Sequence, residues 1–120
     1  MPGAQQILHN GQVIFYMDFS NINHTSEIKN IMNESAVYIR NQPSGSVLSL
    51  SNITGMRFTQ EIKVLFNDFI KENKPYIKAS AVIGLNGLQL IFTGFLKVTN
   101  RNINSFNSEI EAKDWLIAVA

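Results

Sequence analysis

Cysteine does not occur in this chain of 120 residues. Disulfides, thiolate nucleophiles and cysteine-based zinc sites are therefore excluded. Histidine occurs twice, as His9 and His24, with no ligand spacing around either, so no metal site is expected. Charge is sparse: Asp, Glu, Lys and Arg make up 16% of the chain, and the formal net charge is +1. The densest basic group is Lys63, Lys71, Lys74 and Lys78, which reads as a solvated helix-and-strand face and not as a nucleic-acid footprint. No apolar run approaches the roughly 20 residues of a membrane span. The opening "MPGAQQ" has neither the basic region nor the apolar core of a signal peptide, so the expected compartment is the cytoplasm. Three glycosylation sequons, at Asn23, Asn33 and Asn52, read as chance matches in an Asn-rich chain.

What is present is a large apolar share, 45%, enough for one domain with a real core. "ILHNGQVIFYMDF" predicts a hairpin, because Asn10-Gly11 is the preferred two-residue turn. Val13 to Phe19 is apolar nearly throughout, which predicts a central strand. A helix follows, capped by Thr25 or Ser26, with Ile28, Ile31, Met32, Ser35, Ala36 and Ile39 on one stripe. "QPSGS" ends it. Ser46 to Ser51 is the next strand. A helix from about Gln60 to Asn73 shows the clearest amphipathic spacing, through Ile62, Leu65, Phe66, Phe69 and Ile70.

"YIKASAVIG" predicts a buried strand ending in Ala79 to Ile83, and Gly84 turns the chain. A third helix is expected from Asn86 or Gly87 to about Thr99. "NINSF" predicts a short strand and "SEIEAKDWLIA" a last helix, with Ser108 and Glu111 as a capping box. The order β-β-α-β-α-β-α-β-α describes a single α/β domain around a mixed sheet, its helix-linked strands parallel.

This order resembles the STAS domain, the fold of bacterial anti-sigma-factor antagonists and of sulfate-transporter tails. In particular it is similar to the divergent branch of small antagonist-like proteins, related in fold to the lipid-binding Sec14 type. "SVLSLSNITGMRFTQEI", "YIKASAVIGLNGLQLIF" and "INSFNSEIEAKDWL" carry the resemblance, which spans nearly the whole chain. Phosphorylated antagonists have a pattern like Asp-Leu-Ser-x-Val-x-Phe-Met-Asp-Ser-Ser-Gly. Leu50, Ser51, Ile53 and Met56 fit it, and Thr59 falls where the family's phosphorylated serine sits. Ser49 and Arg57 replace the two acidic residues that help present that serine to a kinase. Phe58 and Gln60 replace the first Ser and the Gly.

Two readings of Thr59 follow. It is an N-cap for the helix starting at Gln60, or it is a phosphoacceptor at a helix N-terminus, where a phosphate would also be favoured. No nucleophile elbow or paired carboxylates suited to acid–base work stand out. Asp68 and Glu72 share a helix face, as solvated pairs do. "GLNG" lacks the lysine of a phosphate loop, so tight turning explains Gly84 and Gly87. Gly94 interrupts the third expected helix and would let another element or a second subunit approach closely.

The chain thus reads as a non-enzymatic regulatory or protein-interaction module without a cofactor. The expected partner surface is formed by Asn52, Thr54, Met56, Arg57, Phe58, Thr59 and Asn86, with Met56 and Phe58 as apolar anchors beside Arg57; the other reading of Phe58 is a hydrophobic staple folded back onto the helix it precedes. A homodimer is compatible with this reading. The alternative is a small apolar ligand or lipid tail held between sheet and helices, which would require a connected apolar cavity of about 300 Å³ or more.

Overall fold

Asn10 and Gly11 take positive φ (49° and 81°), as the hairpin turn between Gly3–His9 (β1) and Gln12–Asp18 (β2) demands. A computed structural model of the chain describes residues 3–57, 59–84 and 103–120. Three more strands follow: Val47–Asn52 (β3), Ile77–Ile83 (β4) and Ile103–Phe106 (β5). The helices among the described residues are Thr25–Arg40 (α1), Gln60–Asn73 (α2) and Glu109–Val119 (α3). Helix α2 runs on into a single 3-10 turn, Lys74–Tyr76, where Pro75 lacks the N–H needed to continue. The third helix expected after Asn86, with Gly87 and Gly94, lies outside the described residues.

The sheet order is β1-β2-β3-β4-β5. β1 is antiparallel to β2, and the three remaining pairs are parallel. Both strands expected to be internal, β2 and β4, have neighbours on each side. Val13, at the hairpin end of β2, is nevertheless 45% exposed.

Strand alternation splits β2 between two cores. Phe15 and Met17, followed by Phe19, face α1 and α2 and meet Ile28, Ile31, Met32, Ile62 and Phe66. Ile14 faces the other way, where Leu48, Leu50, Ala79 and Ala81 meet Ala112 and Leu116 of α3. The small side chains of β4 let α3 lie close to the sheet. Aromatic contacts fix the first layer: Phe15 stacks on Tyr38 with ring centres 4.2 Å apart, and Phe19 meets Phe66 edge-on at 5.1 Å.

The stripe predicted for α1 is buried at Ile28, Ile31, Met32, Ser35 and Ile39, with Ala36 at its margin. Its cap differs from expectation. His24 is the extended residue before the helix, and it makes no side-chain capping bond. Thr25 is already helical, so its hydroxyl is free to donate to Glu61 Oε1 (3.2 Å) and tie the starts of α1 and α2 together. At α3 the first half of the predicted capping box is present, with Glu111 N–H donating to Ser108 Oγ at 3.3 Å. At the far end of the helix pair, the side chain of Asn73 is buried. It donates to the Phe69 carbonyl (2.7 Å) and accepts from Arg40 Nε (3.3 Å).

Candidate functional site

Four parallel strands end at one edge of the sheet, and their register aligns the ends. Asp18 pairs with Asn52, Asn52 with Ile83, and Ile83 with Phe106. Loops leaving this carboxyl edge are where open α/β sheets place their sites. The loop after β3 is held from both sides. Ile53 N–H donates to the Ile83 carbonyl (2.9 Å), and Phe19 N–H to the Asn52 carbonyl (2.8 Å). Further out, Asn21 N–H donates to the Thr54 carbonyl (2.8 Å), and Arg57 N–H to the Ile22 carbonyl (3.1 Å). The loops after β2 and β3 are thus laced together by backbone bonds, which satisfies groups that the end of a sheet would otherwise leave unpaired.

Glycines make this lacing close. Gly55 has φ +68°, and a Cβ there would overlap the Asn21 side-chain oxygen and lie 3.2 Å from its Cγ. Gly84 has φ +90°, and a Cβ there would overlap the backbone nitrogen and Oγ1 of Thr54 and lie 2.6 Å from its Cα. Only a residue without a side chain fits where the chain leaves β4 against Thr54.

Asn52 is the polar centre of the edge. Its Oδ1 accepts from Thr54 N–H (3.1 Å) and from the Thr54 hydroxyl (2.7 Å), a local turn closed by a side chain. Its Nδ2 donates to the Tyr16 hydroxyl at 3.0 Å. Burial pushes the Tyr16 phenol above its ordinary range. The Asn52 bond opposes this, while the negative charges of Asp18 and Glu109 reinforce it. Asp18 in turn accepts from Ser20 N–H (2.9 Å).

Among the residues singled out from sequence, Asn52 and Thr54 meet directly. Arg57 is exposed beside them. Thr59 is the N-cap of α2, with φ −111° and ψ 170°, and its Oγ1 accepts from Ile62 N–H at 3.2 Å. Met56 does not belong to the surface. It is 4% exposed and packs in the core shared with Ile53 and Ile62, because the tight turn from Ile53 to Met56 (N–H to carbonyl, 3.1 Å) rolls its side chain inward. Its assignment as an exposed anchor is corrected accordingly. Phe58 and Asn86 lie outside the described residues.

Tyr16, Asp18 and Glu109 join the edge without having been identified from sequence. The alternation of β2 puts Tyr16 and Asp18 on one face, but their meeting with Asn52 depends on the strand order and register. The start of α3 brings Glu109 toward Tyr16.

No group of three or more His, Asp or Glu able to hold a metal occurs among the described residues. His9 instead meets Asp114 Oδ1 at 2.9 Å. No described helix is long and apolar enough to cross a membrane. The side chains of the first core lie between the sheet and the α1–α2 pair. A groove of about 540 Å³ lies on that pair, between Lys29, Met32 and Val37 of α1 and Leu65, Asp68 and Phe69 of α2, and its rim is charged.

No protein-family model matches the chain. No curated protein matches it either. It is similar to the crystal structure of an uncharacterized protein of the DUF3478 family, with a SpoIIAA-like fold, from Shewanella loihica PV-4. The likeness has a TM-score of 0.76, covers 95% of this chain and 92% of that one, and comes with 14% sequence identity. The strand order, the layered helices and this likeness together show that the chain has the SpoIIAA-like, or STAS-like, fold.

Proposed function

We propose that this chain is a non-enzymatic regulatory module of the cytoplasm, and that it binds a protein partner through the carboxyl edge of its sheet, at Asn52, Thr54, Arg57 and Thr59. The observation that carries this reading is the lacing of the loop after β3 to both neighbouring strand ends. A loop held in this way presents Thr54 and Arg57 in a fixed geometry, so little ordering cost remains for binding. Asn52 and Tyr16 support the loop from below and are occupied with each other and with Thr54. The same segment aligns with the regulatory stretch of the antagonists that the chain resembles. Arg57, standing where that stretch is acidic, suits a partner with an acidic contact.

Thr59 serves this reading first as a cap. Its hydroxyl oxygen is already engaged with Ile62 N–H.

The test is quantitative affinity capture with the parent and with Arg57→Glu. Specific partners should be lost with the variant. The unfolding midpoint should change by no more than about 0.5 kcal/mol in stability, since an exposed charge contributes little. Undiminished capture of every specific partner would remove this loop from the binding site.

A further inference from the structure

β1 is an edge strand of seven residues with no charge, no proline and no bulge. Edge strands of monomers are ordinarily blunted by one of these devices, because their unpaired N–H and C=O groups invite another strand. The hairpin is unusual in a second way: no Asp, Glu, Lys or Arg occurs from Gly3 to Met17. From these features the geometry points to β1 as the interface with a second copy of this chain, paired antiparallel about a two-fold axis at Gln6.

The register follows from the turn. In a two-residue hairpin the closing pair, here His9 and Gln12, exchanges both backbone bonds. Ile7 and Gln5 then also bond to β2. The backbone groups of Ala4, Gln6 and Leu8 point away from it, and among the described residues no strand receives them. A two-fold axis at Gln6 places Ala4 opposite Leu8 of the second copy, and Leu8 opposite its Ala4.

The side chains suit this pairing. Leu8 is 74% exposed, a large apolar group with nothing over it, and it would lie against a small one. Gln6 Nε2 donates one hydrogen to Tyr38 Oη (2.7 Å). Its second amide hydrogen and its Oε1 suit the same groups of its twin, since an amide is both donor and acceptor. A two-fold axis at Gln6 lays the strand against its own reversed copy, so a strand carrying charge of one sign would repel itself. This one has no charge to repel. A second copy is therefore the occupant that the edge fits, and the two sheets would join into one of ten strands.

The absence of cysteine makes the test clean. A cysteine introduced at Gln6 can pair only with its twin, and directly opposite residues in such a pair have Cα atoms about 5.5 Å apart, within disulfide reach. The parent should sediment as a dimer in a concentration-dependent way. Gln6→Cys should form a covalent dimer on mild oxidation much faster than Val37→Cys, whose site on α1 is 66% exposed but away from the edge. Leu8→Lys should raise the dimer dissociation constant about tenfold or more, with its unfolding midpoint unchanged at concentrations where both proteins are monomeric. A parent that stays monomeric at its highest soluble concentration overturns the proposal. So does a dimer indifferent to Leu8→Lys, or equally fast trapping at Val37, which would move the contact to the helices. Arg57→Glu leaves this equilibrium untouched, so the fate of the loop reading is measured separately.

Discussion

Replacing Gly84 by alanine tests the geometry of the carboxyl edge more directly than any surface substitution. Two costs add at this position. First, φ is +90°, a region that an L side chain enters at about 1–2 kcal/mol. Second, the new methyl group would overlap the backbone nitrogen of Thr54 and sit 2.6 Å from its Cα. Backbone cannot rotate out of the way as a side-chain tip can, so the loop must lift. Lifting it stretches the Ile53–Ile83 hydrogen bond, now 2.9 Å, and a bond of that kind contributes about 1 kcal/mol. The expected total is about 3 kcal/mol, a large part of the roughly 5–15 kcal/mol that holds a domain together. In a domain of this size that lowers Tm by roughly 12 °C.

Urea denaturation gives the comparison, with Gly45→Ala as the control. Gly45 also has positive φ (+63°), but nothing lies within 4 Å of an added Cβ, so it reports the conformational cost alone. Gly84→Ala should exceed Gly45→Ala by at least about 1 kcal/mol at unchanged m-value. Adding Thr54→Gly should not rescue it, because the clash is with main-chain atoms as well as with Oγ1. Equal costs for the two alanine variants, or full rescue by Thr54→Gly, would refute the close backbone approach described for this edge.

Thr59→Ala should cost about 1 kcal/mol in the same assay and Thr59→Ser much less, since serine keeps the oxygen that receives Ile62 N–H. An alanine variant as stable as the parent would show that the cap contributes nothing. Tyr16 gives a pH dependence. Its folded pKa is raised above the ordinary 10.0, so the folded state holds this proton more tightly than the unfolded state. The stability it contributes is fully present below pH 10 and is lost as pH rises through the folded value. Urea unfolding followed from neutral pH to above 10 should therefore fall less steeply for Tyr16→Phe than for the parent, and identical slopes would contradict the assignment.

The fold was legible because its strongest elements agree with local chemistry. Asn10-Gly11 could close only one kind of hairpin, and the spacing from Ile62 to Ile70 could bury only one helix face. Gln60–Asn73 is accordingly both the predicted and the observed extent of α2. Caps were less legible, because the competition among neighbouring hydroxyls is decided by tertiary partners. Thr25 was a sound N-cap in isolation. Glu61, thirty-six residues away, offers its hydroxyl an acceptor in the fold, and the helix begins with no side-chain cap at His24.

The candidate site was legible only in part, for a related reason. Thr54, Arg57 and Thr59 lie in one loop, so sequence places them together without knowledge of the sheet. Tyr16 and Asp18 reach Asn52 across thirty-six and thirty-four residues, and only strand order and register bring them there. Met56 marks the opposite error. A methionine in a polar loop invites the reading of an exposed anchor, yet a loop anchored at Ile53, Asn21 and Ile22 has little freedom and turns that side chain into the core. The burial changes what kind of surface the loop offers. With Met56 inside, its described outer groups are the Thr54 and Arg57 side chains, so the binding proposed for this loop would draw from them on hydrogen bonding and charge. Binding through Arg57 would then weaken with ionic strength, as binding centred on a methionine would not.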